Sequence, residues 1–187
     1  MVALTGWRHC PRCASPLASG EGFATCSACG STYYASSSPA ASALVLDDEG
    51  RVLLGRRARE PDEGKWDTPG GFIEEGEDPL DALRRELREE TGLEVEPGAF
   101  VTAYTDRYGS AEGDTATLNL LWEARVVTGE PHPDDDVAEL RWFALDELPE
   151  DDEIAFGALP AVIRAWVAGR NAEEPAVPAP LTGREED

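Results

Sequence analysis

The chain has 187 residues, 16 Lys plus Arg against 38 Asp plus Glu, a formal net charge of −22 and 41% hydrophobic residues. That length and apolar content suffice for a buried core and exclude wholesale disorder. No apolar run nears the roughly 18 residues of a membrane span, the first residues lack a signal peptide's basic and apolar stretches, and so acidic a surface repels duplex phosphates. The expectations are a soluble, cytoplasmic protein with no membrane partner and no nucleic-acid partner, although a small phosphate compound bridged by metal remains compatible with the charge.

In chain order the first signal is cysteine spacing. All four Cys lie in two knuckles, Cys10-Pro11-Arg12-Cys13 and Cys26-Ser27-Ala28-Cys29. Four thiolates delivered by two tight turns suit tetrahedral zinc, and a closed four-sulfur shell leaves no open position for water, so the metal is expected to be structural. Residues 1–36 are therefore read as a zinc ribbon with Cys10, Cys13, Cys26 and Cys29 as its Zn²⁺ ligands. Ala35-Ser36-Ser37-Ser38-Pro39 follows as a small polar break, and a second unit, residues 37–170, begins there.

In that unit Ala43 to Leu46 and Val52 to Leu54, joined by Asp47-Asp48-Glu49-Gly50, predict a β-hairpin. Pro69-Gly70-Gly71 is a backbone feature that no helix accommodates. Residues 79–91 predict a helix: Leu80, Leu83 and Leu87 recur at helical spacing, Asp78 is the N-cap, Pro79 opens the first turn and Gly92 lies just past the end. Val95, Phe100 to Tyr104, Thr117 to Val127 and Leu140 to Phe143 predict strands, Ile154 to Val167 a terminal helix, and residues 171–187 a disordered acidic tail. The mixture predicts an α/β fold with a mixed sheet covered by helices.

Chemistry is expected where the glycine turn meets the helix. Glu86, Glu89 and Glu90 fall within about a third of the helix circumference, beside the leucine stripe. A solvated acidic face is the usual meaning of helix charges, yet Glu86 and Glu90 are an i, i+4 like-charge pair, mildly destabilising unless a cation is shared. Hard divalent cations such as Mg²⁺ take such oxygen ligands.

The pattern Gly71-x5-Glu77-x7-Arg85-Glu86-Leu87-x-Glu89-Glu90-x-Gly92-Leu93 resembles the complete Nudix signature, and the resemblance extends over about residues 40–168. The preceding ribbon is similar to that of the zinc-ribbon Nudix proteins. The resemblance implies an α/β/α sandwich and hydrolysis of a nucleoside diphosphate linked to another moiety, with Mg²⁺ or Mn²⁺ held by the helix glutamates. Glu86 and Glu90 would be the principal ligands, Glu89 a further ligand or water-positioning group and the first choice of general base, and the Gly70 carbonyl would complete the shell. Arg85 and Glu77 would hold the loop to the helix, while Glu112, Asp114 and Glu139 are other candidate bases.

ADP-ribose or a related ADP conjugate is the expected substrate by this resemblance, with Arg57 and Trp66 as substrate-binding residues. NADH or FAD pyrophosphatase activity, triphosphate sanitation and non-catalytic nucleotide sensing are the alternatives. The Ser-Gln-Pro-Trp-Pro-Phe-Pro run of NADH pyrophosphatases is absent after the signature. Trp66, Tyr104 and Tyr108 suit stacking on adenine and equally suit a core. Similar enzymes are often homodimers.

Overall fold

The computed structural model describes residues 4, 6–109 and 115–173. The expected tail beyond Glu173 and the candidate bases Glu112 and Asp114 lie outside the described residues.

Three short strands, β1 (Leu17–Ser19), β2 (Phe23–Cys26) and β3 (Thr32–Tyr34), form a small antiparallel sheet. The two knuckles are built alike. Cys10 N–H donates to the Ser15 carbonyl and accepts at its own carbonyl from Ala14 N–H, each at 2.8 Å, and Cys26 repeats both bonds with Ser31 and Gly30 at 2.8 Å. Ala14 and Gly30, the fifth residue of each turn, both have positive φ, 58° and 73°. Glycine meets that demand at position 30, whereas Ala14 adopts a backbone region that side chains disfavour.

The larger unit is a seven-stranded mixed sheet. Its path is β10 (Val137–Phe143), β5 (Val52–Arg57), β4 (Ser38–Leu46), β9 (Thr115–Thr128), β8 (Glu94–Tyr108), with β6 (Trp66–Asp67) on β5 and β7 (Gly70–Phe72) on β4. Among the described residues only strands β4 and β9 run parallel; the other strand pairs are antiparallel. The predicted hairpin is β4–β5, closed where Asp47 accepts from Arg51 N–H at 2.8 Å and Glu49 N–H at 3.1 Å.

Alternation along the central strands separates two cores. Ala41, Ala43 and Val45 of β4 and Leu53 of β5 pack with Ala82, Leu83 and Leu87 of helix α1 (Pro79–Thr91), whereas Leu44, Val52 and Leu54 pack with Leu159, Ile163 and Trp166 of α2 (Leu159–Glu173). Period-two alternation places consecutive side chains on opposite faces, so strands apolar at every position are buried on both. The outcome is the expected sandwich, one helix on each face. Each fully buried leucine contributes about 1.5–3 kcal/mol.

Helix α1 keeps its predicted bounds. Asp78 Oδ1 accepts from Leu80 N–H at 2.9 Å, Pro79 stands in the first turn, and Gly92, at φ 69°, donates its N–H to the Arg88 carbonyl. The terminal helix starts five residues later than predicted. Ile154 is buried and bridges to Trp66, Phe156 has φ 61°, and the helix begins at Leu159 with Pro160 in its first turn. It then runs to Glu173, past the expected domain end. Glu123 of β9 docks it, accepting from Trp166 Nε1 and Arg170 Nη1, each at 2.7 Å. The two short segments predicted around Val95 and Phe100 are one long strand, β8, whose register shifts between Pro97 and Thr102, where Pro97-Gly98 interrupts the apolar pattern.

Candidate active site

Two backbone requirements bring the glycine turn to the carboxylates. A Cβ on Gly70 (φ 144°) would stand 2.3 Å from the Ala41 carbonyl oxygen, so only glycine lets β7 lie against β4 there. A Cβ on Gly71 would stand 2.5 Å from the Glu86 carboxyl carbon. The missing side chain at 71 is the space the Glu86 carboxylate fills.

Arg85 organises the exposed side. It donates from Nε and Nη2 to the two Glu77 oxygens, each at 2.8 Å, from Nη2 to the Phe72 carbonyl at 3.2 Å, and from Nη1 to Glu86 at 2.7 Å and Glu89 at 3.2 Å. The Arg85 hydrogen bonds and the Glu74 N–H hold the Glu77 carboxyl down to about 2. Loop, strand β7 and helix are tied by one guanidinium. Glu139 lies on β10 with its carboxylate 3.6 Å from Arg56.

Glu90 occupies the inner side. It is 9% exposed and accepts from Gly70 N–H at 2.8 Å. Burial pushes its carboxyl up to about 9 against that bond, and Asp136, Asp67 and Glu86 add repulsion. Asp67 is also raised, to about 6, by burial, although Arg57 Nη1 (3.0 Å) and Thr68 N–H (2.8 Å) both donate to it. Glu86 is raised by burial too. A group of acids enclosed together with too little positive charge is a donor set that a divalent cation fits, since neutralisation by protons alone requires shifts of this size. Among the described residues the three glutamate carboxylates do not converge to within 4.8 Å of one another: Arg85 Nη1 engages Glu86 and Glu89, and Gly70 N–H engages Glu90.

The four cysteines do converge. Their Sγ atoms all lie within 4.8 Å of one another, with Cys10–Cys29 at 3.7 Å and Cys13–Cys26 at 3.5 Å, far beyond a disulfide bond of about 2.0 Å. The Tyr33 hydroxyl is 3.3 Å from Cys10 Sγ.

Beside the Gly70-Gly71 turn lies an open cleft. Its floor is Ser42 of β4 with Thr117 and Asn119 of β9, and its walls include Arg57, Asp67, Phe72, Tyr108 and Phe156. Arg57 is where a substrate-binding residue is expected, although it is also engaged by Pro61 O at 2.7 Å and by Asp67. Trp66 does not line the cleft. It is 9% exposed and packs edge-on to Phe143 at 4.9 Å in the α2-side core, which matches the core alternative.

Sequence reasoning missed Asp67 and Asp136 as neighbours of Glu90, and Asn119 and Phe156 as cleft residues. Asp136 sits in an acidic run, Asp134-Asp135-Asp136, that reads as a solvated face. Its placement comes from tertiary bonds, Asp134 N–H to the Glu90 carbonyl at 3.1 Å and Ala58 N–H to the Asp136 carbonyl at 2.7 Å. Asp67, directly before Thr68-Pro69-Gly70-Gly71, carried a signal in that adjacency.

Comparison with known proteins agrees with this geometry. The chain is 32% identical over 146 residues to the NAD-capped RNA hydrolase NudC of Stutzerimonas stutzeri, covering 76% of this chain and 50% of that protein. It is 30% identical to an ADP-ribose pyrophosphatase of Methanocaldococcus jannaschii, covering 57% of this chain and 62% of that one, and 38% identical to the putative 8-oxo-dGTP diphosphatase 2 of Mycobacterium tuberculosis, covering 63% and 77%. The chain spans about half the length of the NudC proteins it matches. Among solved structures, a NUDIX hydrolase from Nitrosomonas europaea superposes with a TM-score of 0.74 at 25% identity, covering 90% of this chain and 95% of that one. Residues 37–162 match the NUDIX domain family, and with the signature helix, its glycine turn and the sandwich around them in place, this chain belongs to that family of hydrolases.

Proposed function

We propose that this chain is a divalent-metal-dependent pyrophosphohydrolase that cuts the diphosphate of a nucleoside diphosphate linked to a second moiety, ADP-ribose or a related ADP conjugate first among them. The observation that carries the reading is the α1 edge: Glu90, buried, and Glu86, half-buried against Arg85, meet the Gly70-Gly71 turn beside an open cleft. Glu86, Glu89 and Glu90 would hold Mg²⁺ or Mn²⁺, with the Gly70 carbonyl beside them. When bound, the metal supplies the positive charge that a diphosphate needs in an acidic protein and makes water a better nucleophile.

The chain's own residues do the rest. Arg85 fixes the side chains of Glu86 and Glu89, so that the carboxylates are oriented before substrate arrives. Glu89 is the exposed member of the three, engaged by Arg85 at 3.2 Å, and would accept the proton of the attacking water. Gly70 N–H keeps the Glu90 carboxylate facing the turn. Because the charge lies on the bridging diphosphate, ADP-ribose yields AMP and ribose 5-phosphate.

In the ribbon, the four cysteines fit a structural Zn²⁺. Thiolates about 2.3 Å from a tetrahedral zinc are spaced about 3.8 Å apart, close to the 3.5 and 3.7 Å found. A second reading, triphosphate sanitation, is favoured by the 38% identity to the putative 8-oxo-dGTP diphosphatase 2. The relatives named as NAD-capped RNA hydrolases widen the range to a nucleotide at an RNA end, which the acidic-surface argument against duplex binding does not address.

A Mg²⁺-dependent hydrolysis screen tests these readings, covering ADP-ribose, NADH, FAD, NAD-capped RNA and nucleoside triphosphates. AMP released from ADP-ribose with the highest kcat/KM is the expected result. Pyrophosphate released from triphosphates, with ADP conjugates untouched, would replace the first reading with the second.

A further inference from the structure

The two cysteine knuckles share their backbone bonds and differ at their sulfurs. Tyr33 Oη lies 3.3 Å from Cys10 Sγ, and Ser31 Oγ lies 3.3 Å from Cys29 Sγ. A thiolate on a metal carries no proton, so once zinc is bound both hydroxyls are the donors and both sulfurs the acceptors. Backbone N–H groups add to this: those of Arg12 and Cys13 donate to Cys10 Sγ, those of Ala28 and Cys29 to Cys26 Sγ, and that of Ser31 to Cys29 Sγ.

Cys13 stands apart. Among the described residues its Sγ meets no hydroxyl and no N–H donor; its partners are other sulfurs, with Cys26 at 3.5 Å. Ser15 follows Cys13 by two residues as Ser31 follows Cys29, yet the chain continues differently from each. Ser31 leads into β3, whereas Ser15 precedes Pro16, which restricts its backbone.

Access follows the same division. Cys10 and Cys26 are buried, Cys29 is half-buried and Cys13 is exposed, as are Arg12 and Ala14 on either side of it. A thiolate reacts through a lone pair that an incoming reagent reaches, and hydrogen bonds to sulfur lower the electron density available there. One sulfur of the four is both accessible and free of such donors.

From this asymmetry we infer that Cys13 is a modification site, the ribbon thiolate at which soft electrophiles and peroxides react first while donors and burial protect its three neighbours. The inference rests on the reading of the ribbon as a structural zinc site and deepens it. With a maleimide, the Cys13 sulfur forms an S–C bond to the ring alkene, whose π pair takes a proton from water; the product is a neutral thioether in place of a thiolate. With hydrogen peroxide, Cys13 attacks one oxygen, an S–O bond forms, the O–O bond breaks and hydroxide leaves. The Cys26 thiolate, 3.5 Å away, then attacks the sulfenic sulfur, forming the S–S bond and expelling a second hydroxide. Two thiolates give up two electrons between them, and one peroxide takes both. The resulting bond joins the two knuckles to each other.

The test uses the full chain, with its zinc content read by native mass spectrometry before and after treatment. The four cysteines are the chain's only thiols, so peptide mapping assigns each label. Substoichiometric N-ethylmaleimide should label Cys13 about tenfold faster than Cys10, Cys26 or Cys29, with zinc lost in step with that label. Ser31→Ala removes a donor and no ligand, and should raise the labelling rate of the half-buried Cys29 about threefold or more. Hydrogen peroxide should give a Cys13–Cys26 disulfide. Labelling spread evenly over the four cysteines, a Cys29 rate that Ser31→Ala leaves unchanged, or peroxide disulfides confined to Cys10–Cys13 and Cys26–Cys29 overturns the inference. A chain that carries no zinc and is still labelled first at Cys13 overturns the zinc reading and leaves the reactive site standing.

Discussion

The cysteine cluster of the ribbon and the glutamate edge of α1 are both ligand sets drawn from residues close in sequence, and they differ in closure. The four sulfurs converge within 4.8 Å in two turns of identical hydrogen bonding. The three carboxylates stay apart, each already engaged by Arg85 or by Gly70 N–H. A closed set satisfies its ion completely and has nothing left to offer a substrate; an open set on a rigid helix, supported from behind, keeps ligand positions facing a cleft. On the proposed reading, that difference would separate a site that holds a fold from one that performs a reaction.

The largest effect should come from the open site. Glu90→Gln preserves an acceptor for Gly70 N–H but cannot ionise to meet a cation, so turnover should drop by about 10²–10³-fold, while the metal-free protein no longer has to keep a buried carboxyl protonated and its melting temperature holds or rises. Steady-state kinetics beside calorimetry checks both halves, and unchanged Mg²⁺-dependent turnover would remove Glu90 from the ligand set. The closed site should behave in the opposite way. Cys26→Ser, or chelation of the bound metal, should raise hydrogen exchange across residues 7–34 and leave most of the turnover at α1 intact, and native mass spectrometry should show one zinc lost per chain. Two disulfides in place of zinc in the native protein would end the analogy between the two sites.

Between these extremes lies Arg85. Lysine at 85 cannot donate bidentately to Glu77 while also reaching Phe72 O, Glu86 and Glu89, so Arg85→Lys should lower turnover by about 10–100-fold through misplaced carboxylates. An apparent Mg²⁺ affinity unchanged in Arg85→Lys would show that Arg85 does not organise the metal-facing groups.

Local rules made α1 legible: an N-cap, a proline, a leucine stripe and a glycine stop all lie within one helix, so sequence alone bounded it at both ends. The cysteine knuckles were legible for the same reason. What sequence could not place depends on contacts across the chain. Asp136 reaches Glu90 only because the loop before β10 folds onto the helix end, Phe156 is aimed by Asp62 from 94 residues away, and Ile154 leaves the helical pattern to bridge Trp66. Trp66 shows the limit most plainly, since an aromatic residue beside a glycine turn reads alike whether it faces a ligand or a core.

The smallest effect, and the finest test of the comparison, is the pH dependence of stability in the metal-free protein. Glu77 is held down at about 2 against an ordinary 4.5, so its pairing with Arg85 stabilises the fold above about pH 4.5 and that contribution is lost as pH falls through about 2. Glu90 has the opposite sign. Its carboxyl is raised to about 9, so the folded chain retains a proton that the unfolded chain releases near 4.5; the contribution is full below 4.5 and lost as pH rises through about 9. Asp67, raised to about 6, adds to the loss at the lower end of that window. The metal-free melting temperature should therefore decline between about pH 5 and 9, Glu90→Gln should flatten the decline, and Mg²⁺ should raise the melting temperature more at pH 8.5 than at pH 5.5 because only an ionised Glu90 gains from the cation. The ribbon should not share this profile, since no carboxylate takes part in its four-sulfur set, and a decline that persists undiminished in Glu90→Gln would place its origin outside the helix edge.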